Sequence, residues 1–432
     1  MDSDIFKVLS SSKIHTDKND DSVDVQLRIF IDSFRKLKEE TENLEIIKNQ
    51  SIIMMKQYDH ELNELISIKS RFKSIFKQKD ETISSNNHTK CPSEQSSYVD
   101  SVNLSHTYID YKVIHNSIQS AQNTIKLKYC LKVSNVVCSV AISSDGSCFA
   151  FSNGSTTYMM STQDGALLAA FEMPISKRGL YSKNDSQTRA LAFSPNNKFI
   201  AVAGPSNDIS VFNTQTSYLI SVFEDHEQTI SSLVFIKSGS VMLSGSFDGS
   251  ICGWDFHTFA LCLKRSQSEK NAQSDNAIIS ISLPANESVI VVGYTTGVIS
   301  IFDVMTVQPI ESFKAHNHCL MDCAISHNGE YIVSASQDNS ARLWNTFSKG
   351  YRKPLMTMNH DDFVLTACFS NDDIFVFTGS KDESIRAWDT NTKSLLFTIN
   401  AHQNTLFKIS HHPTEKTIIT CSGDGLVAVF DY

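Results

Sequence analysis

Two periodicities divide the chain. Between Leu27 and Phe76, apolar residues recur at alternating three- and four-residue spacings: Leu27, Phe30, Phe34, Leu37, Leu44, Met55, Tyr58, Leu62, Leu65, Phe72 and Phe76. That spacing lays one apolar stripe along a helix and predicts a helical domain at residues 25–83, as a coiled coil or bundle. A helix of ~55 residues is roughly 80 Å long and cannot bury such a stripe alone. Self-association, with Leu27, Phe34, Leu37, Leu44, Met55, Tyr58, Leu62, Leu65 and Phe72 in the seam, is the simplest way to cover it. Ile46, Ile47, Ile52, Ile53 and Met54 widen the stripe beyond what two helices need, which points to a homotetramer or to a second helical partner. The alternative is an antiparallel hairpin within one chain. Residues 1–24 read as disordered. Residues 84–123, rich in Ser, Asn, Thr and His, read as a flexible linker.

From residue 124 the period becomes two. In Ile125–Val133 the odd positions are apolar and Lys126, Lys128 and Lys132 alternate with them, as in a strand with one buried face. Further strand patterns follow, and aligned third-strand ends fall at Ser161, Asn213, Asp255, Asp303, Asn345, Asp389 and Asp431. They recur every ~45 residues, the length of one four-stranded propeller blade. Insertions at about Glu172–Thr188 and Lys264–Asn276 stretch two of the intervals. The last repeat reaches Asp431–Tyr432 with only three strands. Ile125–Val133 is therefore expected to supply the fourth, beside Gly425–Phe430, closing the ring and covering an open edge. The fold class is an all-β seven-bladed WD-repeat propeller over residues 124–432, preceded by an N-terminal α-helical coiled coil or bundle.

Composition agrees with that division and removes several functions. All 16 glycines lie at or after Gly146, and no proline precedes Pro92. The front is thus helix-permissive and the back turn-rich. A net charge of −9 argues against direct DNA binding through phosphates. The ten cysteines form no CxxC pair, and a reduced intracellular compartment is expected. No apolar run approaches the ~18 residues of a membrane span.

Repeat three supplies His226, Ser232, Asp248 and Trp254; repeat six supplies His360, Thr366, Asp382 and Trp388. A His, a hydroxyl and an Asp can form a hydrolase triad. Here the set returns in other repeats as His316, Asp322, Asp338 and Trp344, then as His402, Lys408, Asp424 and Phe430. A catalytic site occurs once; a set repeated with variation is a buried hydrogen-bond relay, so each set is read as a structural tetrad. His316, His318, Cys319 and Cys323 contain zinc-ligand types, but His316 is the structural histidine of its repeat and Cys323 a core position. No metal, cofactor or enzyme activity is expected. Function then lies in surfaces. Loop positions before each turn Asp, or at the start of each inner strand, reach one rim of the channel. They give Phe247, Gln337, Lys381, Ser231, Met321, Phe363 and Asn404 as candidate partner contacts.

Beyond the repeats, the chain resembles the Tup family of general transcriptional co-repressors. The resemblance rests on VVCSVAISSDGSCFAFSNGSTTYMMSTQDGALLAAF at residues 136–171, then RALAFSPNNKFIAVAG, DHEQTISSL, HDDFVLTACFS and TGSKDESIRAWD, in family order. A weaker likeness covers Ile31–Phe72. It implies a nuclear, non-enzymatic scaffold, tetrameric through its N-terminal helices, that engages a tetratricopeptide-repeat co-repressor subunit. DNA-bound repressor proteins would recruit its propeller, with histone tails and deacetylases as further partners. Lys381 and Asn404 match the family's repressor-facing positions in type. The chain departs from the family in its short linker, in Phe212 and Phe302 at the Trp place, and in Gln187, Ser231 and Met321 at aromatic positions. The alternatives are a cytoplasmic coiled-coil/WD-repeat scaffold of the autophagy Atg-sixteen type and a subunit of a ubiquitin-ligase or trafficking complex.

Overall fold

A computed structural model of the chain describes residues 105–107, 109–116, 125–154, 156–174, 187–204, 207–266, 276–348 and 352–432. All of them fall within the compact unit Tyr98–Tyr432. The N-terminal segment 1–24, the helical domain expected at 25–83 with its oligomerisation seam, and much of the expected linker lie outside the described residues.

The described chain forms seven antiparallel sheets, the blades of a seven-bladed β-propeller. Their innermost strands are Val140–Ile142, Ala190–Phe193, Ile230–Phe235, Ile278–Ser282, Leu320–Ile325, Val364–Phe369 and Leu406–His411, in blades 1 to 7. The third strands end at Ser161, Asn213, Asp255, Asp303, Asn345, Asp389 and Asp431, in the frame the repeats predict. Both faces of each blade are covered by a neighbour, so strands such as Val289–Tyr294 are buried at every position. The core is accordingly divided into seven clusters between blades. One packs Leu243 and Ile251 of blade 3 against Ile290 and Phe302 of blade 4; another packs Val333 and Leu343 of blade 5 against Val376 and Trp388 of blade 6.

Three N-terminal strands complete blades 6 and 7: β1 (Ser105–His106), β2 (Lys112–His115) and β3 (Lys126–Lys132). β3 is the fourth strand of blade 7, antiparallel to Leu426–Asp431, with a bulge between Leu127 and Tyr129. The Val133 amide extends the pairing to the Gly425 carbonyl at 2.9 Å. Gly425 holds φ +75°, and a Cβ there would stand 2.6 Å from the Val133 carbonyl oxygen, so both turn and closure require glycine.

The linker expected at 84–123 is not uniformly a linker. β1 adds a fifth strand outside β3, and β2 adds a fifth strand to blade 6 against Ser394–Asn400. Ile109, Tyr111 and Val113 pack against the core between these blades, and Tyr111 accepts a hydrogen bond from the Leu127 amide at 3.3 Å. The polar composition concealed these strands, because their hydrogen bonds come from distant partners.

Candidate functional site

Among the described residues, four blades carry a buried relay. In blade 3 the Trp254 indole N–H lies 2.8 Å from Ser244 Oγ, Ser244 Oγ lies 2.7 Å from His226 Nε2, and His226 Nδ1 lies 2.9 Å from Asp248 Oδ2. Indole can only donate, so Ser244 accepts from Trp254 and donates to Nε2, leaving Nδ1–H to donate to Asp248. Blade 5 repeats the arrangement with Trp344, Ser334, His316 and Asp338. Blade 6 does so with Trp388, Thr378, His360 and Asp382. Blade 7 has His402, Thr420 and Asp424, with Phe430 in the Trp place.

The relay hydroxyls are therefore Ser244 and Thr378, not Ser232 and Thr366. Ser232 Oγ instead bonds the Ile281 amide and carbonyl of blade 4. Thr366 Oγ1 donates to Asp322 Oδ2 at 3.0 Å. These inner-strand positions stitch neighbouring blades together. The sequence carried the correct signal: Ser244, Ser334, Thr378 and Thr420 each stand four residues before the turn Asp. Asp322 is likewise no decayed relay member. It accepts from Ser280 Oγ, Thr366 Oγ1, the Ala367 amide and Lys408 Nζ, joining blades 4 to 7 around one buried carboxylate.

These groups are tuned for permanence. Burial lowers the His360 imidazole, and although Asp382 opposes this the net shift is downward, so the ring stays neutral. Burial alone would raise the Asp382 carboxyl, but bonds from His360, Ser384 and the Asp361 amide outweigh it and hold the group well below the usual carboxylate range. Both nitrogens of His316 are engaged by Ser334 and Asp338. Burial pushes the Cys323 and Cys368 thiols up to about 12, so both are neutral.

The presented groups lie on the face that bears the turn aspartates. Five inner strands bulge at one position, so that Ser231, Ile279, Met321, Leu365 and Phe407 interrupt the ladder. A bulge re-aims its side chain, and all five line the central channel together with Cys138 and Arg189, around a cavity of ≈ 300 Å³. Ser231 and Met321 are thus channel residues. Ser231 Oγ already bonds the carbonyls of Gly245 and Ile278, which gives it an inter-blade role.

Phe247, Gln337 and Lys381 sit at equivalent turn positions, each with its amide bonded to the loop entering its own blade: Phe247 to Thr229, Gln337 to Cys319, Lys381 to Phe363. Lys381 Nζ lies 5.0 Å from the Phe363 ring centroid and 3.2 Å from Asp362 Oδ2. Phe363 is exposed despite its size. Asn404, on blade 7, anchors its loop by accepting from the Thr405 amide, and a Cβ on Gly423 would lie 3.1 Å from its side chain. The sequence reading missed Arg189, whose guanidinium lies 5.9 Å from the Phe247 ring centroid, and Phe407. Phe407 stands at the inner-strand position that marks Ser231 and Met321, and Arg189 directly precedes its own inner strand, so the repeat frame reached both.

The chain matches the family described as "WD domain, G-beta repeat" at residues 217–255, 307–345, 352–389 and 393–431. These segments contain the histidines and aspartates of the four relay blades. Among curated relatives, it is 26% identical over 185 residues to "Periodic tryptophan protein 2" of Arabidopsis thaliana, covering 41% of this chain and 19% of that protein. It is 23% identical over 259 residues to "U3 snoRNP-associated protein-like EMB2271" of the same plant, covering 57% of this chain and 51% of the relative. It is 29% identical over 165 residues to "COMPASS component SWD3" of Saccharomyces cerevisiae, covering 36% and 50%. The chain thus spans between 19% and 51% of these relatives' own length. A propeller with WD repeats in four of its seven blades, similar to these proteins, is a protein-interaction scaffold.

Proposed function

We propose that the rim bearing Lys381, Phe363 and Asn404 captures a short segment of a partner protein, and that the chain is a nuclear co-repressor scaffold of the Tup kind. The carrying observation is the pre-ordered group on blade 6. An exposed aromatic ring, a cation above it and an amide on the next blade are held on turns whose backbone is fixed by hydrogen bonds. An aromatic anchor in a rigid setting is the usual nucleus of an interface, because little side-chain entropy is lost on contact. Phe247 and Gln337 extend the surface across blades 3 and 5. Support for the nuclear co-repressor assignment comes from the resemblance in the repeats. Relatives named for a U3 snoRNP and for COMPASS agree with a role as a subunit of an assembly.

The test is Lys381→Glu with Asn404→Ala in the full chain. Both residues are exposed, so folding should change by less than ~0.5 kcal/mol per site. Chromatin association and recovery of DNA-bound repressors should fall. Normal recruitment by a well-folded double variant would move the docking surface elsewhere. A chain confined to the cytoplasm would remove the co-repressor assignment and leave the scaffold.

A further inference from the structure

The channel mouth combines donors in a way that specifies one kind of ligand. Three charged side chains line the channel among the described residues: Arg189, Asp322 and Lys408. Asp322 and Lys408 neutralise each other at 2.8 Å, and the carboxylate is occupied by three further donors. Arg189 is different. It is exposed, has no carboxylate partner among the described residues, and its guanidinium stands near the Phe247 ring. Two residues earlier, Gln187 accepts from the Cys138 thiol through Oε1, which leaves its amide N–H groups available. The Ser231 hydroxyl, also in the lining, is already committed to the carbonyls of Gly245 and Ile278. Among the described residues the mouth therefore offers donors, one uncompensated positive charge and apolar walls from Phe247, Met321 and Phe407.

Resting on the rim-docking reading above, we propose that the channel mouth is a carboxylate subsite: the docked peptide places one Asp or Glu side chain on Arg189, with apolar neighbours against Phe247, Met321 and Phe407. A guanidinium matches a carboxylate through two parallel N–H···O bonds, and the aromatic face behind Arg189 holds the fork in place. One surplus cation suits a monoanion better than a phosphate dianion. Such a contact also lets an acidic chain, with net charge −9, select an acidic segment that the rest of its surface repels.

The experiment is a random-peptide display selection on the full-length wild-type chain, with winners resynthesised and measured by fluorescence anisotropy. The selected peptides should share one Asp or Glu between apolar residues. Replacing that residue by its amide, or making Arg189→Ala, should each weaken binding about tenfold or more, and the two losses should not add. Arg189→Lys should recover part of the loss. Phosphoserine in place of the acid should bind more weakly. Peptides that depend on Lys381 and Asn404 but bind equally with the amide, or equally to Arg189→Ala, would overturn the carboxylate subsite while leaving rim docking intact. Peptides indifferent to all three residues, or no enriched peptide, would overturn both.

Discussion

Blades 6 and 7 and blades 1 and 2 solve the same packing problem with different means. In blades 6 and 7 a His–Asp relay ties the incoming loop to the turn, and five strands are present because β1, β2 and β3 pair on the outside. Blades 1 and 2 have four strands each, and among the described residues nothing pairs with their outer edges. Those edges are apolar: Leu167, Leu168, Leu219 and Ile220 are all more than 40% exposed. Blades 1 and 2 also lie outside the four segments that match the WD repeat, except for the outer strand of blade 2. In their third strands Met160 and Phe212 are buried where blade 6 has Trp388. A blade thus keeps its place by packing on two neighbours, while the relay and the added strands bring rigidity to the blades that carry the proposed rim.

The largest break in this contrast should come from removing β3 (Δ125–133). It uncovers the Leu426–Asp431 edge and takes away Cys130, Leu131 and Val133, all nearly fully buried. Side chains of this kind contribute ~1.5–3 kcal/mol each. The melting temperature should drop by about 10 °C or more, or the chain should aggregate. Removing β1 and β2 instead (Δ105–116) should cost only a few degrees, because blade 6 keeps its own four strands. Equal losses in calorimetry would show that β1 and β2 hold the ring as firmly as the closing strand does.

Next in size is Trp388→Ala, which opens a cavity and leaves Thr378 without its donor. A loss of ~3–5 kcal/mol in urea unfolding is expected. Trp388→Phe keeps most of the volume and should cost about 1–2 kcal/mol, the loss of one buried hydrogen-bond partner. Phe212→Leu in blade 2 disrupts no relay and serves as the reference. If Trp388→Phe is neutral, the relay is dispensable and the contrast between blades is one of ancestry alone.

How far these features were legible follows from what sets them. The repeat frame was readable because each blade buries both faces, which forces apolar strands and polar turns at fixed spacing. The relay histidines, aspartates and tryptophans were readable because they recur. The hydroxyls were misassigned because repeats three and six each hold two candidates, Ser232 and Ser244, then Thr366 and Thr378. Only the invariant distance to the turn Asp separates them. β1 and β2 escaped because pairing with Lys126–Lys132 and Ser394–Asn400 is a tertiary event. Even so, Ile109, Tyr111 and Val113 alternate with Asp110 and Lys112. The channel mouth was half readable: the bulges that turn Phe407 and Leu365 inward leave no mark in composition.

Acid should separate the blade types more gently. Burial lowers His316 and His360 below their ordinary value of 6.5, and lowers His411 to about 4. Below pH 6.5 the unfolded chain takes protons on these rings that the folded chain refuses, so their contribution is present above 6.5 and lost as pH falls. The turn carboxylates Asp248, Asp338 and Asp382 are also held low, against the effect of burial, so theirs is present above 3.8 and lost below it. Urea midpoints should fall from pH 7 to 5, and less steeply in His360→Gln. A flat profile would show that neutral histidines are not part of what holds blade 6.

The smallest effect on stability should come from the bare edges, where the consequence is one of association. Leu168→Lys with Ile220→Lys places charges on exposed positions at the outer strands of blades 1 and 2. Neither side chain reaches the core, so the unfolding free energy should move by less than ~0.5 kcal/mol per site. An unpaired apolar edge is a template for another strand, and a lysine on it opposes that pairing by desolvation and repulsion. Light scattering on heating should therefore show slower aggregation for the double variant, at an unchanged melting temperature. The same pair of lysines placed on blade 6, at Leu395 and Leu396 beneath β2, should instead lower the melting temperature, since both residues pack against buried clusters. If the two pairs behave alike, the covering strands do not distinguish these halves of the ring, and the difference between them rests on the relay alone.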